Sequence, residues 1–296
     1  MRYLVIDGYA LAYRAWYSFN NMKNDNGRDC RVPVGFFWVW TAYEKANNLS
    51  SYQPIFVFDH PVGSFRKKLS KEYKANRTPA PQEFYDQVEE TINLCKMIAP
   101  TYRLEGYEAD DLAGTFAAKV NPDDEVLLLT VDTDWLQLLS DNVKCLQLKT
   151  RGQYILWDKY LFCEKYQGLT PKQLIDVKAI TGDGSDNIPG VKGIGWVTVH
   201  KLLREYHDVD NIYDKILEIK NTGGVQKKLY ENKDQVILSR TLATIATDAP
   251  IELYTKEPDL DSFFNYLNNE LNADSLVNTM GFYFAKLRSA LGGVHV

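Results

Sequence analysis

The chain has 296 residues, 45% of them hydrophobic and 25% charged, with a formal net charge of −5. That is an ordinary soluble globular composition, with length for one large domain or two smaller ones. No apolar run approaches the ~18 residues that cross a bilayer, the short apolar run before Asp7 is not expected to act as a signal peptide, and the cysteines lack disulfide or zinc spacing. Membrane, disulfide-rich secreted and zinc-site classes are therefore set aside, and a reducing cytoplasm is the expected location (a host's, for a phage source).

The first predicted element is a buried strand over Arg2–Ile6, ending at Asp7-Gly8. Tyr9 to Phe19 and Val34 to Leu49 read as helices. Ile55–Phe58 is a second apolar strand, also ending in an aspartate, Asp59. Ser64 to Arg77 is strongly basic, and Pro79 and Pro81 break it. A helix resumes over Glu83–Ala99, and a short strand is expected at Thr101–Leu104. Gly106-Tyr107-Glu108-Ala109-Asp110-Asp111 then crowds three carboxylates into the start of a helix. Val126–Val131 is the clearest buried strand, ending in Asp132-Thr133-Asp134. Weaker strands follow at Val143–Leu148 and Tyr154–Trp157. From Pro171 the chain reads almost wholly as helix and turn.

This alternation predicts an α/β fold: a mostly parallel central sheet with helices on both faces, then a helical lobe. The expected division is 1–165 for the α/β lobe, with an arch at about 64–100, and 166–296 for the helical lobe.

A lone Asp after a strand is ordinarily a turn residue or helix cap. Here Asp7, Asp59 and Asp132 follow three separate strands, and ligands of open parallel sheets bind at such strand ends. Glu108, Asp110 and Asp111 would join them from a helix start, where the macrodipole offsets part of their charge. A donor set of oxygens alone favours two or more Mg²⁺ ions, with Mn²⁺ as substitute. Glu108 and Asp111, three apart, are expected to share the inner site, with Asp110 acting through water.

Net acidity argues against a nucleic-acid partner, but the average hides two populations. Phe65 and Tyr73 interleave with the basic residues from Arg66 to Arg77. A solvated helix face and a phosphate-binding element fit that pattern equally well; in the second, Lys74 and Arg77 share one side of a helix. Further on, Gly190-Val191-Lys192-Gly193-Ile194-Gly195 fits a hairpin between two helices, open to a phosphate and followed by a helix N-terminus. Asp183 and Asp186 stand beside it.

Taken together, these residues resemble the 5′-nuclease (flap endonuclease) superfamily, in its bacterial and bacteriophage branch. The motifs arrive in that family's order: Asp7-Gly8 with Arg14-Ala15; Phe58-Asp59 with Phe65-Arg66 and Tyr73-Lys74-Ala75-Asn76-Arg77; Gly106 to Asp111; Asp132 to Leu138; and Gly182 to Gly195. The resemblance implies a PIN-like α/β lobe and a helix–hairpin–helix (helix–three-turn–helix) in the helical lobe. It implies metal ligation by Asp7, Asp59, Glu108, Asp110, Asp111 and Asp132, with Asp134, Asp183 and Asp186 around a more distant ion. Lys74 and Arg77 would act on the scissile phosphate from a helical arch. Arg14, Arg66, Tyr73, Gly190, Lys192, Gly193, Gly195 and Lys201 would contact DNA, with K⁺ in the hairpin.

The implied activity is a divalent-metal 5′→3′ exonuclease and flap endonuclease of replication and repair. It would act as a monomer on 5′ ends, flaps and nicked or branched duplex, with RNA–DNA hybrid as a further candidate. A free-standing nuclease, plausible for a phage, is the expectation from the chain's end at Val296. Related hairpins carry Lys where Val197 stands, so Lys192 and Lys201 are the candidates to compensate. Two rival readings are a non-catalytic duplex-DNA-binding module and a metal-dependent phosphatase, since Asp132-Thr133-Asp134 alone resembles the haloacid-dehalogenase nucleophile motif.

Overall fold

A computed structural model describes residues 1–219 and 224–290. Strands β1 (Arg2–Asp7), β2 (Gln53–Val57), β3 (Thr101–Tyr102), β4 (Glu125–Thr130), β5 (Val143–Leu148) and β6 (Tyr154–Trp157) form one sheet in the order β3-β2-β1-β4-β5-β6. All neighbours are parallel except β5 and β6. Side chains alternate across a sheet buried on both faces. Leu4, Ile6, Phe56, Leu127 and Leu129 enter one core, whereas Val5, Ile55, Val57, Val126 and Leu128 enter the other. The order of strands reverses between β1 and β4, so their carboxyl ends frame the crevice where ligands bind in such sheets.

Helices α1 (Gly8–Ser18), α2 (Arg31–Asn47) and α4 (Gln82–Ile98) cover the first core, and α5 (Ala109–Lys119) packs in the second. Between β2 and α4 lie the short α3 (Phe65–Leu69) and a run of turns over 71–76. The continuous arch helix expected through Lys74 and Arg77 is therefore absent. The chain instead folds down onto the loop at 183–187: Lys74 N donates to Asp186 O, and Asn187 Nδ2 to Glu72 O.

After α6 (Lys159–Lys165), helices α7 (Gln173–Thr181), α8 (Trp196–Tyr206), α9 (Val209–Asp214), α10 (Val225–Glu231) and α11 (Lys233–Ala243) surround a third core. The last two helices depart from the expected helical lobe. Phe263 and Leu267 of α12 (Leu260–Asn269), with Leu276, Met280 and Tyr283 of α13 (Asp274–Ala290), enter the first core of the α/β lobe. Among the described residues no helix is long and apolar enough to cross a membrane.

Asp176 of α7 is buried against Arg240 of α11, at 2.9 Å. Burial pushes its pKa up to about 6, outweighing the attraction of Arg240. A carboxyl with a raised folded pKa contributes stability that is full below its unfolded pKa and is lost as pH rises from there through the folded pKa. Asp176→Asn is therefore expected to gain about 1 kcal/mol relative to wild type between pH 5 and 7. Urea unfolding at the two pH values checks this; an unchanged difference contradicts it.

Candidate metal centre and nucleic-acid cleft

A cleft opens at the carboxyl ends of the strands, lined by Asp7, Asp59, Glu108, Asp110 and Asp132, with Lys74 and Arg77 also on its wall. Asp7 ends β1 and caps α1: its Oδ1 accepts from Ala10 N at 3.0 Å and its Oδ2 from Thr130 Oγ1 at 2.6 Å. Burial, followed by repulsion from Asp59 and Asp132, pushes its pKa up to about 7. Asp59 accepts from Ala109 N at 2.7 Å, in the first turn of α5. Burial and then Glu108 raise its pKa; burial and then Asp111 raise that of Asp110 further. Asp132 Oδ1 accepts from Asp134 N at 2.9 Å.

Burial first, and neighbouring carboxylates after it, disfavour ionised carboxylates here, a cost that a divalent cation between them relieves. The donors are all hard oxygens, which fits Mg²⁺ or Mn²⁺ chemistry. Among the described residues no three such side chains converge on one point. Cations of the chain stand between them instead. Lys74 Nζ lies 2.7 Å from Glu108 Oε2 and 3.8 Å from Asp186 Oδ2. Burial raises the pKa of Glu108, but Lys74 and Arg66 outweigh it and hold the carboxyl below its ordinary range. Arg77 reaches Asp186 Oδ1 at 2.5 Å.

The expected outer group is divided. Asp134 and Asp183 share Lys178 of α7, whose Nζ pairs with Asp134 and lies 2.5 Å from Asp183 Oδ2. Burial opposes ionisation of Asp183, but Lys178 and Ser185 outweigh it and bring its pKa down to about 2. Lys178 escaped the sequence reading because nothing in its helical surroundings marks an interior cation. Asp186 turns to the arch side, accepting from Tyr73 Oη at 3.1 Å as well as from Arg77.

Three expectations need correction. Asp111 has no exposed surface and makes a bidentate pair with Arg66, both bonds at 2.7 Å. It also accepts from Glu108 N and Ala246 N. Its oxygens are committed to the fold, so Asp110, not Asp111, accompanies Glu108 in the cleft. Arg66 is 1% exposed and further donates to Leu242 O and Thr244 O, which removes it from the DNA-contacting set. Tyr73 is 2% exposed and packs with Ile188, Leu242 and Ala243, so its ring is closed to a stacked base.

Arg14 lines the cleft, held by Tyr43 Oη at 2.6 Å and Lys149 O at 2.9 Å. An aromatic file on α1 went unread in the sequence, although its i, i+4, i+8 spacing was the available signal. Tyr9, Tyr13 and Tyr17 line the cleft beside the carboxylates; Tyr13 stacks on Phe84 at 4.4 Å and on Tyr17 at 6.5 Å between centroids. In the hairpin, Gly190 is required by packing, since a Cβ there would meet Thr181 O at 2.1 Å. Gly193, at φ +79°, and Gly195 are exposed, as are Lys192 and Lys201.

Residues 2–167 match the family model of the 5′-3′ exonuclease N-terminal resolvase-like domain, and residues 169–263 match that of the 5′-3′ exonuclease C-terminal SAM fold. A 5′-3′ exonuclease of Buchnera aphidicola is 34% identical over 262 residues, covering 86% of this chain and 90% of the relative. A thermostable DNA polymerase I of Thermus thermophilus is 35% identical over 291 residues, covering 95% of this chain; the chain spans 33% of that polymerase's length. The crystal structure of the phage T5 D15 protein with metal ions superposes with a TM-score of 0.70 at 22% identity, covering 98% of this chain and 100% of that one.

Proposed function

Because the chain belongs to the 5′-3′ exonuclease family, we propose that it is a structure-specific 5′→3′ DNA nuclease. Its substrates are 5′ ends, 5′ flaps and nicked or branched duplex. One observation carries the reading: a single cleft at the carboxyl ends of parallel strands is lined by five carboxylates together with Lys74, Arg77 and a file of tyrosines.

Asp7, Asp59, Glu108, Asp110 and Asp132 would hold divalent ions, Mg²⁺ first and Mn²⁺ as substitute. Asp134, Asp183 and Asp186 would serve a more distant one in place of the pairings they make with Lys178 and Arg77. Bound there, such ions supply Lewis acidity and lower the pKa of a coordinated water. The chain supplies position and charge. Ala10 N and Thr130 fix the Asp7 carboxylate, and Ala109 N fixes that of Asp59. Lys74, beside Glu108, and Arg77, beside Asp186, line the same cleft; a phosphodiester drawn to them would be neutralised as its negative charge grows. At the end of the tyrosine file, the exposed Tyr17 would offer a face on which a base of a frayed 5′ end stacks. The hairpin at 190–195 would grip the duplex backbone, and its main-chain carbonyls would hold K⁺.

The phosphatase reading needs Asp134 free to assist Asp132, but Lys178 pairs with Asp134. A module that only binds DNA leaves the carboxylate cleft without a purpose. Sizing the products from 5′-labelled flap, nicked duplex and blunt duplex tests the proposal. Mononucleotides or released flaps are expected; cleavage starting from 3′ ends, or no cleavage of any of the three, overturns it.

A further inference from the structure

The hairpin at 190–195 is fixed from behind by the segment after Asp208. Gln235 Nε2 of α11 donates to Gly190 O at 2.8 Å, and Ser239 Oγ to Pro189 O at 2.7 Å. Helix α10 is fixed to the same frame. Leu229 is buried in the core that also holds Val191 and Ile194, and Tyr213 Oη donates to Leu229 O at 3.1 Å. Gln226 Nε2 donates to Ile216 O at 2.9 Å.

On that frame Lys228 reaches the hairpin tip. Its Nζ lies 2.9 Å from the position a Cβ on Gly193 would occupy. The bare, exposed backbone of Gly193 and an ammonium from another helix thus meet at one point of the surface. The first turn of α8 brings no cation to it: Trp196, Val197 and Thr198 are uncharged, and Val197 is 66% exposed. Main-chain N–H groups orient a phosphate, whereas a nearby full charge adds most of the electrostatic attraction. The neighbouring Lys227 points elsewhere and pairs with Glu231 at 3.7 Å, while Lys228 has no carboxylate partner among the described residues.

We propose that Lys228 is a phosphate-pairing cation of this hairpin, beside Lys192 and Lys201, which makes α10 part of the surface that grips the duplex backbone. The inference rests on the nuclease reading and deepens it. Binding of a nicked duplex, followed by fluorescence anisotropy in EDTA over a range of salt concentrations, tests it. Lys228→Ala is expected to bind roughly five- to tenfold more weakly, with the salt slope shallower by about one. Lys227→Ala is expected to bind as wild type does. Adding Val197→Lys to Lys228→Ala returns a charge to the hairpin and is expected to restore most of the affinity, which separates lost charge from lost fold.

Unchanged affinity and slope in Lys228→Ala overturn this proposal alone. An equal loss in Lys227→Ala, or a loss that the added lysine leaves untouched, also counts against it. Failure of the wild type to bind duplex overturns the nuclease reading, and this one with it.

Discussion

Asp132→Asn is expected to lower flap cleavage on the order of a thousandfold, a loss of about 4 kcal/mol of transition-state stabilisation, while duplex binding persists. The asparagine keeps the shape of the side chain and an oxygen that can accept from Asp134 N. Asp132 holds no ion pair among the described residues, so the fold has little to lose. What disappears is one negative charge at the end of β4, within the cleft that also holds Asp7, Asp59, Glu108 and Asp110. Cleavage and binding measured on the same preparation separate the two effects. A variant that cuts a 5′ flap at the wild-type rate would remove Asp132 from the metal centre.

Asp111→Ala is expected to act differently, by destabilising the fold by about 3–5 kcal/mol. The substitution leaves the Arg66 guanidinium buried without its bidentate partner. It also strips an acceptor from Ala246 N and another from Glu108 N. These contacts tie the start of α5, the base of the arch and the chain leaving α11 into one polar joint. A buried ion pair is costly to break even where an apolar pair of the same volume would serve as well. Chemical unfolding reads the effect, and an unfolding midpoint equal to that of the wild type would contradict it. Lost cleavage in this variant would report lost structure, in contrast to Asp132→Asn.

The difference between these two aspartates marks what the sequence conveys. Strand ends are legible: Asp7, Asp59 and Asp132 follow apolar runs, and a parallel sheet places such ends on one edge. The hairpin glycines are legible for a similar local reason. Arg66 was not, because inside a basic run it reads as one more solvated charge; its partner lies 45 positions away and only tertiary contact joins them. Tyr73 failed in the same way, as an aromatic between lysines that turned out to fill a small core with Ile188 and Leu242. Helical spacing within Gly106–Asp111 gave faces but not directions, so it selected Asp111 for the cleft when the cleft takes Asp110. The return of α12 and α13 to the α/β lobe was equally hidden, since amphipathic helices announce a buried face without naming the surface that buries it.

The central claim is that these carboxylates work as a divalent-metal centre for cutting DNA at 5′ ends. The most direct measurement uses the wild-type protein with 5′-labelled flap DNA in Mg²⁺, in EDTA, and in EDTA followed by excess Mg²⁺ or Mn²⁺. Cleavage with Mg²⁺, none in EDTA, and recovery on adding either ion back are the predicted results. Cleavage that continues at full rate in EDTA, or no cleavage under any of these conditions while the flap DNA stays bound, would contradict the account.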